Sequence, residues 1–244
     1  MYIIKKKEHD IVGENTGDLE VNVDLVLCID GTGSMGPFIE EVKDTASTFY
    51  ERVTVALKEK KRVAKQLRIK VIVFRDYYDR EGDKFPPMME SEFFSLPSQT
   101  AQFKKFVSAI EPWGGGDEPE NGLEAVALAM QSDWVKEGVK RRHIIMVWTD
   151  ASAHSLDKNV GSKPSDYPQN MPKNNVELYD WWNDPQGGKM NASAKRLILF
   201  APNTQPWTDM GENLENTAYA PSKAGKGMAE QDMNLVLATL ANSI

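Results

Sequence analysis

Residues 23–38, VDLVLCIDGTGSMGPF, decide how this chain is read. VDLVLCI (23–29) is nearly all apolar, as a strand buried on both faces of a parallel sheet must be. Pro37 stands where a helix would begin, because the first helical position needs no N–H. Between strand and helix two patterns overlap. Gly31, Gly33 and Gly36 spell G-x-G-x-x-G, a dinucleotide fingerprint. Asp30, Thr32 and Ser34 spell D-x-T-x-S, a set of oxygen ligands for a hard metal ion.

The two patterns make different demands on the rest of the chain. A dinucleotide site needs an acidic residue about 20 positions on, at the end of a second strand. That distance lands near Ala56. Phe38, Val42, Ala46, Phe49, Val53 and Leu57 recur at three- and four-residue steps, so Ala56 sits inside one long helix predicted to reach about Lys60. The second strand, IKVIVF (69–74), ends too late. No Lys-Ser or Lys-Thr follows the glycines, so a P-loop fails as well.

The metal reading asks for less and receives more. In a segment leaving a strand, alternate side chains share a side, so Asp30, Thr32 and Ser34 can converge. Their hard oxygens suit Mg²⁺, Mn²⁺ or Ca²⁺ and not Zn²⁺. Parallel strands end on one rim, where ligands of open α/β sheets bind. Further oxygen ligands belong at other strand ends, and three aspartates are there. Asp150 follows HIIMVWT (143–149), Asp117 sits in the glycine-rich loop WGGGDEPENG (113–122), and Asp76 follows IKVIVF.

Outward from these segments, the chain alternates strands and helices. Met88–Leu96 reads as an antiparallel edge strand, since its link to the second strand is short and polar. A helix is predicted over Gln99–Ile110. The next carries Leu123, Val126, Ala127, Met130 and Trp134 on one side. Arg142–Thr149 and Lys195–Ala201 are buried strands, Asn216–Pro221 a short one, and Ala229–Ile244 a closing helix. The expected fold is α/β: a Rossmann-like, doubly wound, mostly parallel sheet with one antiparallel edge strand and helices on both faces. Residues 1–21 read as a lead-in strand or hairpin. Residues 22–244 form the domain, with a long polar insertion on the rim at about 155–194. Loops of that length are uncommon in compact domains and often functional.

Composition narrows the classes. With 244 residues and 41% of them hydrophobic, the chain can bury a sizeable core. No apolar run approaches the ~18 residues of a membrane span. MYIIKKKEHD has a basic patch with no apolar stretch behind it, which reads as no secretory signal. The single cysteine, Cys28, cannot form an intramolecular disulfide and fits a reducing cytoplasm. A formal net charge of −7 argues against a nucleic-acid partner. The basic cluster 58–65 reads as the solvated end of a helix.

D-G-T-G-S-M (30–35), G-G-G-D-x-P-E (114–120) and T-D-A-S (149–152), in this order, resemble a von Willebrand factor type A domain. The resemblance covers about residues 22–244. It implies that the three segments form a metal-ion-dependent adhesion site holding Mg²⁺, with protein binding at that ion. Asp30, Thr32 and Ser34 match the family's D-x-[ST]-x-S, and Asp150 the aspartate of its T-D-G. Asp117 falls where the commonest family pattern has a threonine. A third carboxylate at the ion makes it less electrophilic toward a partner's acid. G-G-G-D, F-R-D-Y-Y-D (74–79) and S-K-A-G-K-G-M (222–228) are similar to a bacterial branch associated with tellurite resistance.

Each residue also has a plainer reading. A threonine or serine near a helix start is a common cap, but a cap accounts for one of the three and not for Asp117 or Asp150. Glu120 favours the start of the helix that follows it through the helix dipole. Asp76 is either close to the ion or a turn residue. His154 fits no Ser-His-Asp or His-cluster pattern, and steadying the rim loop is its simpler role. Cys28 is a small buried hydrophobe. Trp113, Trp134 and Trp148 are expected in the core. Trp181, Trp182 and Trp207 fall in polar segments, where they either anchor an interface or fold onto the domain's own surface.

The metal set expected from sequence is Asp30, Thr32, Ser34, Asp117 and Asp150, with Asp76 and His154 behind it. The ion is Mg²⁺, or Mn²⁺ or Ca²⁺. The expected function is a cytoplasmic, non-enzymatic module that binds a carboxylate of a partner protein. By analogy that partner is a kinase, a phosphatase or an ATPase of the same system, and neither nucleic acid nor membrane is involved. The alternative is a metal-dependent hydrolase of the phosphoesterase kind, with the ion as Lewis acid and His154 as proton shuttle.

Overall fold

The computed structural model describes residues 19–78, 84–116, 118–158, 160–186, 188–226, 228 and 232–244. The lead-in assigned to residues 1–21 therefore lies outside the described residues as far as 18. One sheet runs through the domain. Its strands are β1 (Leu19–Asp30), β2 (Arg62–Phe74), β3 (Met88–Glu90), β4 (Phe94–Leu96), β5 (Arg141–Trp148), β6 (Lys195–Pro202) and β7 (Thr217–Ser222). The spatial order is β3-β2-β1-β5-β6-β7, with β4 also paired to β2. All neighbours are parallel except β3 and β4, both antiparallel to β2. The edge strand expected over Met88–Leu96 is thus antiparallel, and it is broken in two at residues 91–93.

Among the described residues seven α-helices cover the sheet: α1 (Gly36–Thr45), α2 (Phe49–Glu59), α3 (Thr100–Ser108), α4 (Gly122–Met130), α5 (Asn175–Asn183), α6 (Trp207–Asn213) and α7 (Met233–Ser243). β1 shows why both faces need cover. Val23, Leu25, Leu27 and Ile29 pack with the buried residues of α1, α2, α3 and α7. Val26 and Cys28 point the other way, into the layer holding α4, α5 and α6. Alternate strand residues face opposite sides, so a strand at the centre of a three-layer domain is apolar almost throughout.

Several elements depart from the sequence reading. The helix expected from residue 37 to 60 is two, separated at Ala46–Thr48. Thr48 Oγ1 donates to the Thr45 carbonyl at 3.2 Å, and back-bonding of this kind competes with the helical ladder. The basic cluster 58–65 is not all helix. Lys61 turns at φ 55°, and Arg62–Lys65 open β2 with alternating exposure. The insertion 155–194 contains α5, started by Asn174, whose side chain accepts from Glu177 N at 2.9 Å. Leu178 and Trp182 anchor α5 in the core. α6 had no clear signal in the sequence; Trp207 and Met210, both fully buried, anchor it in the core.

Candidate functional site

The chain passes from β1 to β2 on one side and later returns to β5 on the other. The carboxyl ends of β1 and β5 therefore flank the point where strand order reverses, the place where open α/β sheets bind ligands. Asp30 is the last residue of β1, and Thr149 and Asp150 follow β5. Asp30 is fully buried. One of its oxygens, Oδ1, accepts from Thr32 N at 2.9 Å and from Thr32 Oγ1 at 2.6 Å. The other, Oδ2, accepts from Thr149 Oγ1 at 2.7 Å. Asp30 thus aims the two threonines from behind. Thr32 Oγ1 lies 3.4 Å from Ser34 Oγ, which donates to Asp150 Oδ1 at 2.9 Å. Three hard oxygen donors, from Thr32, Ser34 and Asp150, stand in one row.

Backbone hydrogen bonds bring the glycine-rich loop onto this row. Trp113 N donates to Gly31 O at 2.9 Å and Gly33 N to Gly114 O at 3.0 Å. Arg75 locks the same junction, donating to the carbonyls of Gly31, Pro86 and Glu111 at 3.0, 3.2 and 2.8 Å. Gly115 has φ +81°, and a Cβ there would fall 2.7 Å from Thr32 Cβ. Only glycine lets the loop come this close to the threonine.

A cavity of about 320 Å³ opens over the row, lined by Thr32, Ser34, Gly115, Glu118, Glu120 and Asp150 among others. Burial pushes the Asp30 carboxyl up to about 6, with the nearby Asp150 raising it and the threonine hydrogen bonds opposing. A buried acid beside a second acid is more readily ionised when a cation is close. The donor set, the acid pair and the Cβ-free cradle at Gly115 fit a hard divalent ion. Among the described residues no three His, Cys, Asp or Glu side chains gather into a metal-holding group by themselves. Among the described residues the oxygen donors at this cavity include the hydroxyls of Thr32 and Ser34. Asp117 lies outside the described residues, between Gly116 and Glu118, both of which line the cavity.

Asp76 and His154 form a separate pair. His154 Nε2 lies 3.1 Å from Asp76 Oδ2, and both side chains are buried. Burial would raise the Asp76 carboxyl, but hydrogen bonds from His154 and from Tyr78 N hold it below its usual range. Neither residue lines the cavity. The pair steadies the rim, where His154 N donates to Glu120 O at 2.9 Å and Glu120 N to Ser152 O at 3.0 Å. Sequence reasoning missed the part of Thr149, the cavity-lining Glu118 and Glu120, and Gly225, whose N–H donates to Asp150 O at 2.9 Å. Trp113 is a correction: expected in the core, it is 40% exposed, its backbone N–H held by Gly31 O and its ring packed on Phe85 with centroids 6.5 Å apart instead of in the core. Trp134 and Trp148 are buried, and so are Trp182 and Trp207.

The chain is similar to several known proteins. The alpha-protein kinase vwkA of Dictyostelium discoideum is 28% identical over 162 residues, 66% of this chain. The chain spans only 23% of that protein's length. Among solved structures, the pilus adhesin SpaC of Lactobacillus rhamnosus GG superposes with a TM-score of 0.51 at 12% identity, covering 91% of this chain and 30% of the adhesin. A von Willebrand factor type A protein of Catenulispora acidiphila gives a TM-score of 0.46 at 14% identity, over 90% of this chain and 42% of its own. The model of the von Willebrand factor A domain matches residues 24–163, more than half of the chain and all three motif segments in the first part of the rim, and the chain belongs to that family.

Proposed function

We propose that this domain is a protein-interaction module whose binding surface is completed by a divalent cation, in the manner of a metal-ion-dependent adhesion site. Thr32, Ser34 and Asp150 would hold the ion directly, Asp30 would position Thr32, and Asp117 is placed by sequence to add a third carboxylate. When bound, the ion supplies an open coordination position for a carboxylate oxygen of a partner. Mg²⁺ suits the donor set, with Mn²⁺ and Ca²⁺ as the other hard candidates. The observation that carries this reading is the contiguous set Thr32 Oγ1, Ser34 Oγ and Asp150 Oδ1, with spacings of 3.4 and 2.9 Å, from residues that line the cavity.

Family membership supports an interaction module over an enzyme. The hydrolase alternative placed His154 at the ion, but that ring is hydrogen-bonded to Asp76 and does not line the cavity. The kinase name of the curated relative supports a partner from phosphoryl-transfer machinery, a kinase, phosphatase or ATPase acting in the same system. The similarity of G-G-G-D and S-K-A-G-K-G-M to the bacterial tellurite-resistance-associated branch, and a cytoplasmic setting, belong to the same proposal.

Calorimetric titration of MgCl₂ and MnCl₂ into the chain tests the core of it. Saturable uptake by the wild type is expected, with a loss of at least about tenfold in affinity for Ser34→Ala and for Asp150→Ala at unchanged circular dichroism. No uptake, or uptake indifferent to both substitutions, would overturn the reading.

A further inference from the structure

The outer face of α2 carries charges that the rest of the chain does not answer. Val55, 59% exposed, stands at the middle of that face. One turn before it come Glu51 and Arg52, and one turn after it Lys58 and Glu59. At about 100° per residue, Glu51 and Lys58 fall on one flank of Val55, and Arg52 and Glu59 on the other. Within a flank the opposite charges stand about 10 Å apart along the axis, too far for the i,i+3 and i,i+4 pairs that stabilise a helix. Among the described residues, Glu51, Lys58 and Glu59 make no side-chain hydrogen bond or ion pair. Arg52 donates to two neutral oxygens, Thr45 Oγ1 at 3.3 Å and Asn234 Oδ1 at 2.9 Å, and keeps its charge. Beside Val55 lies a groove of about 540 Å³ between α2 and α7, lined by Ala56, Leu237, Ala238 and Ala241 among others.

This pattern is complementary to itself when reversed. A two-fold axis through Val55, perpendicular to α2, lays a second copy antiparallel and sets each flank against the same flank with its direction inverted. Glu51 then faces Lys58 of the second copy, and Lys58 faces its Glu51. On the other flank Arg52 and Glu59 meet in the same way. All four contacts join opposite charges, and the two Val55 side chains meet between them. A partner bearing one sign of charge is repelled on both flanks, because each flank carries both signs. We propose that the outer face of α2 is a self-association surface whose occupant is a second copy of this chain, paired antiparallel through Val55. α2 hands over to β2 at Lys61, whose carbonyl accepts from Leu19 N at the start of β1, so α2 runs away from the rim. The two cavities of the dimer therefore point in opposite directions. On the metal-dependent reading above such a dimer holds two partner molecules, but the pairing itself does not rest on that reading.

Sedimentation velocity of the whole chain at low salt tests the pairing. A reversible dimer is expected, with a dissociation constant on the order of 10 µM, at the weak end for small interfaces. Glu51→Lys turns one flank into like-charge contacts, twice per dimer, and Lys58→Glu does the same. Each is expected to weaken the dimer about ten- to a hundredfold. Both positions are exposed, and unchanged circular dichroism is expected. The first substitution moves the net charge from −7 to −5 and the second to −9, so a general charge effect would drive the two variants in opposite directions. An equimolar mixture of the two variants is expected to dimerise as the wild type does, because each substituted side chain then faces its complement. A wild type still monomeric at about twentyfold above that concentration overturns the proposal and leaves the face to another protein. A dimer indifferent to either substitution, or two variants that fail to pair with each other, overturns it as well.

Discussion

Gly114 and Gly115 take nearly the same backbone conformation, φ +77° and +81°, yet they stand in different surroundings. A Cβ on Gly114 meets nothing within 4 Å, whereas on Gly115 it meets Thr32 at 2.7 Å. Gly114→Ala should therefore show the backbone penalty alone, about 1–2 kcal/mol. Gly115→Ala must in addition push Thr32 or the loop aside. The expected outcome is at least a tenfold loss of magnesium affinity for Gly115→Ala and a change within about twofold for Gly114→Ala, read by calorimetric titration. The glycines were visible in the sequence, but not which of them touches Thr32. The same holds for Glu120. A glutamate after proline at a helix start reads as a dipole effect, and nothing in its neighbours shows that the segment 152–154 pairs with it and turns it toward the cavity.

At the scale of elements, β1 and β2 are joined by more than their backbone ladder. Arg68 of β2 makes two hydrogen bonds to Asp24 of β1, 2.7 and 2.6 Å long, and Asp24 is fully buried. Asp24 Oδ2 also accepts from Val135 N at 2.6 Å, tying in the segment between α4 and β5. Removing one partner of such a pair leaves a buried charge, at a penalty of about 3–5 kcal/mol. Arg68→Leu should lower urea stability by that order, and Asp24→Leu/Arg68→Leu by less than Arg68→Leu alone. A double variant as unstable as the sum of the singles would show no coupling. The helices teach a related lesson. The apolar stripe from Phe38 to Leu57 has one period and reads as one helix. The Thr48 hydroxyl, which donates to the Thr45 carbonyl, divides it, and a period count does not register a side chain that bonds back to its own ladder.

Across the whole molecule, two buried groups give stability opposite slopes with pH. His143 is stacked on Trp134 with ring centroids 5.2 Å apart, and its Nε2 lies 2.9 Å from the Val135 carbonyl. Burial holds its pKa below 6.5. The unfolded chain therefore takes up a proton near 6.5 while the folded chain does not, and stability falls as pH drops through that value. Asp30 runs the other way. Its folded pKa, about 6, lies above the ordinary 3.8, so its contribution is lost as pH rises between those values and is flat above them. Between about pH 7.5 and 6.2 His143 dominates this pair. With chelator present, urea unfolding should show the wild type losing stability over that interval and His143→Gln losing less than about half as much. An identical loss in the variant would assign the slope to other groups.

The sequence by itself determined the buried strand with D-x-T-x-S at its end, the alternation that gives a two-faced sheet, and the rim position of Asp150. These are local facts: residues two apart share a side, and apolar runs report burial on both faces. Which strand lies beside which is not local. Placing β1 between β2 and β5 sets Thr149 against Asp30, and with it bring residues 32, 115, 150 and 225 around one cavity. Only the tertiary structure could decide that, because the hydrogen bonds joining those loops connect atoms far apart along the chain and leave no periodic mark in it.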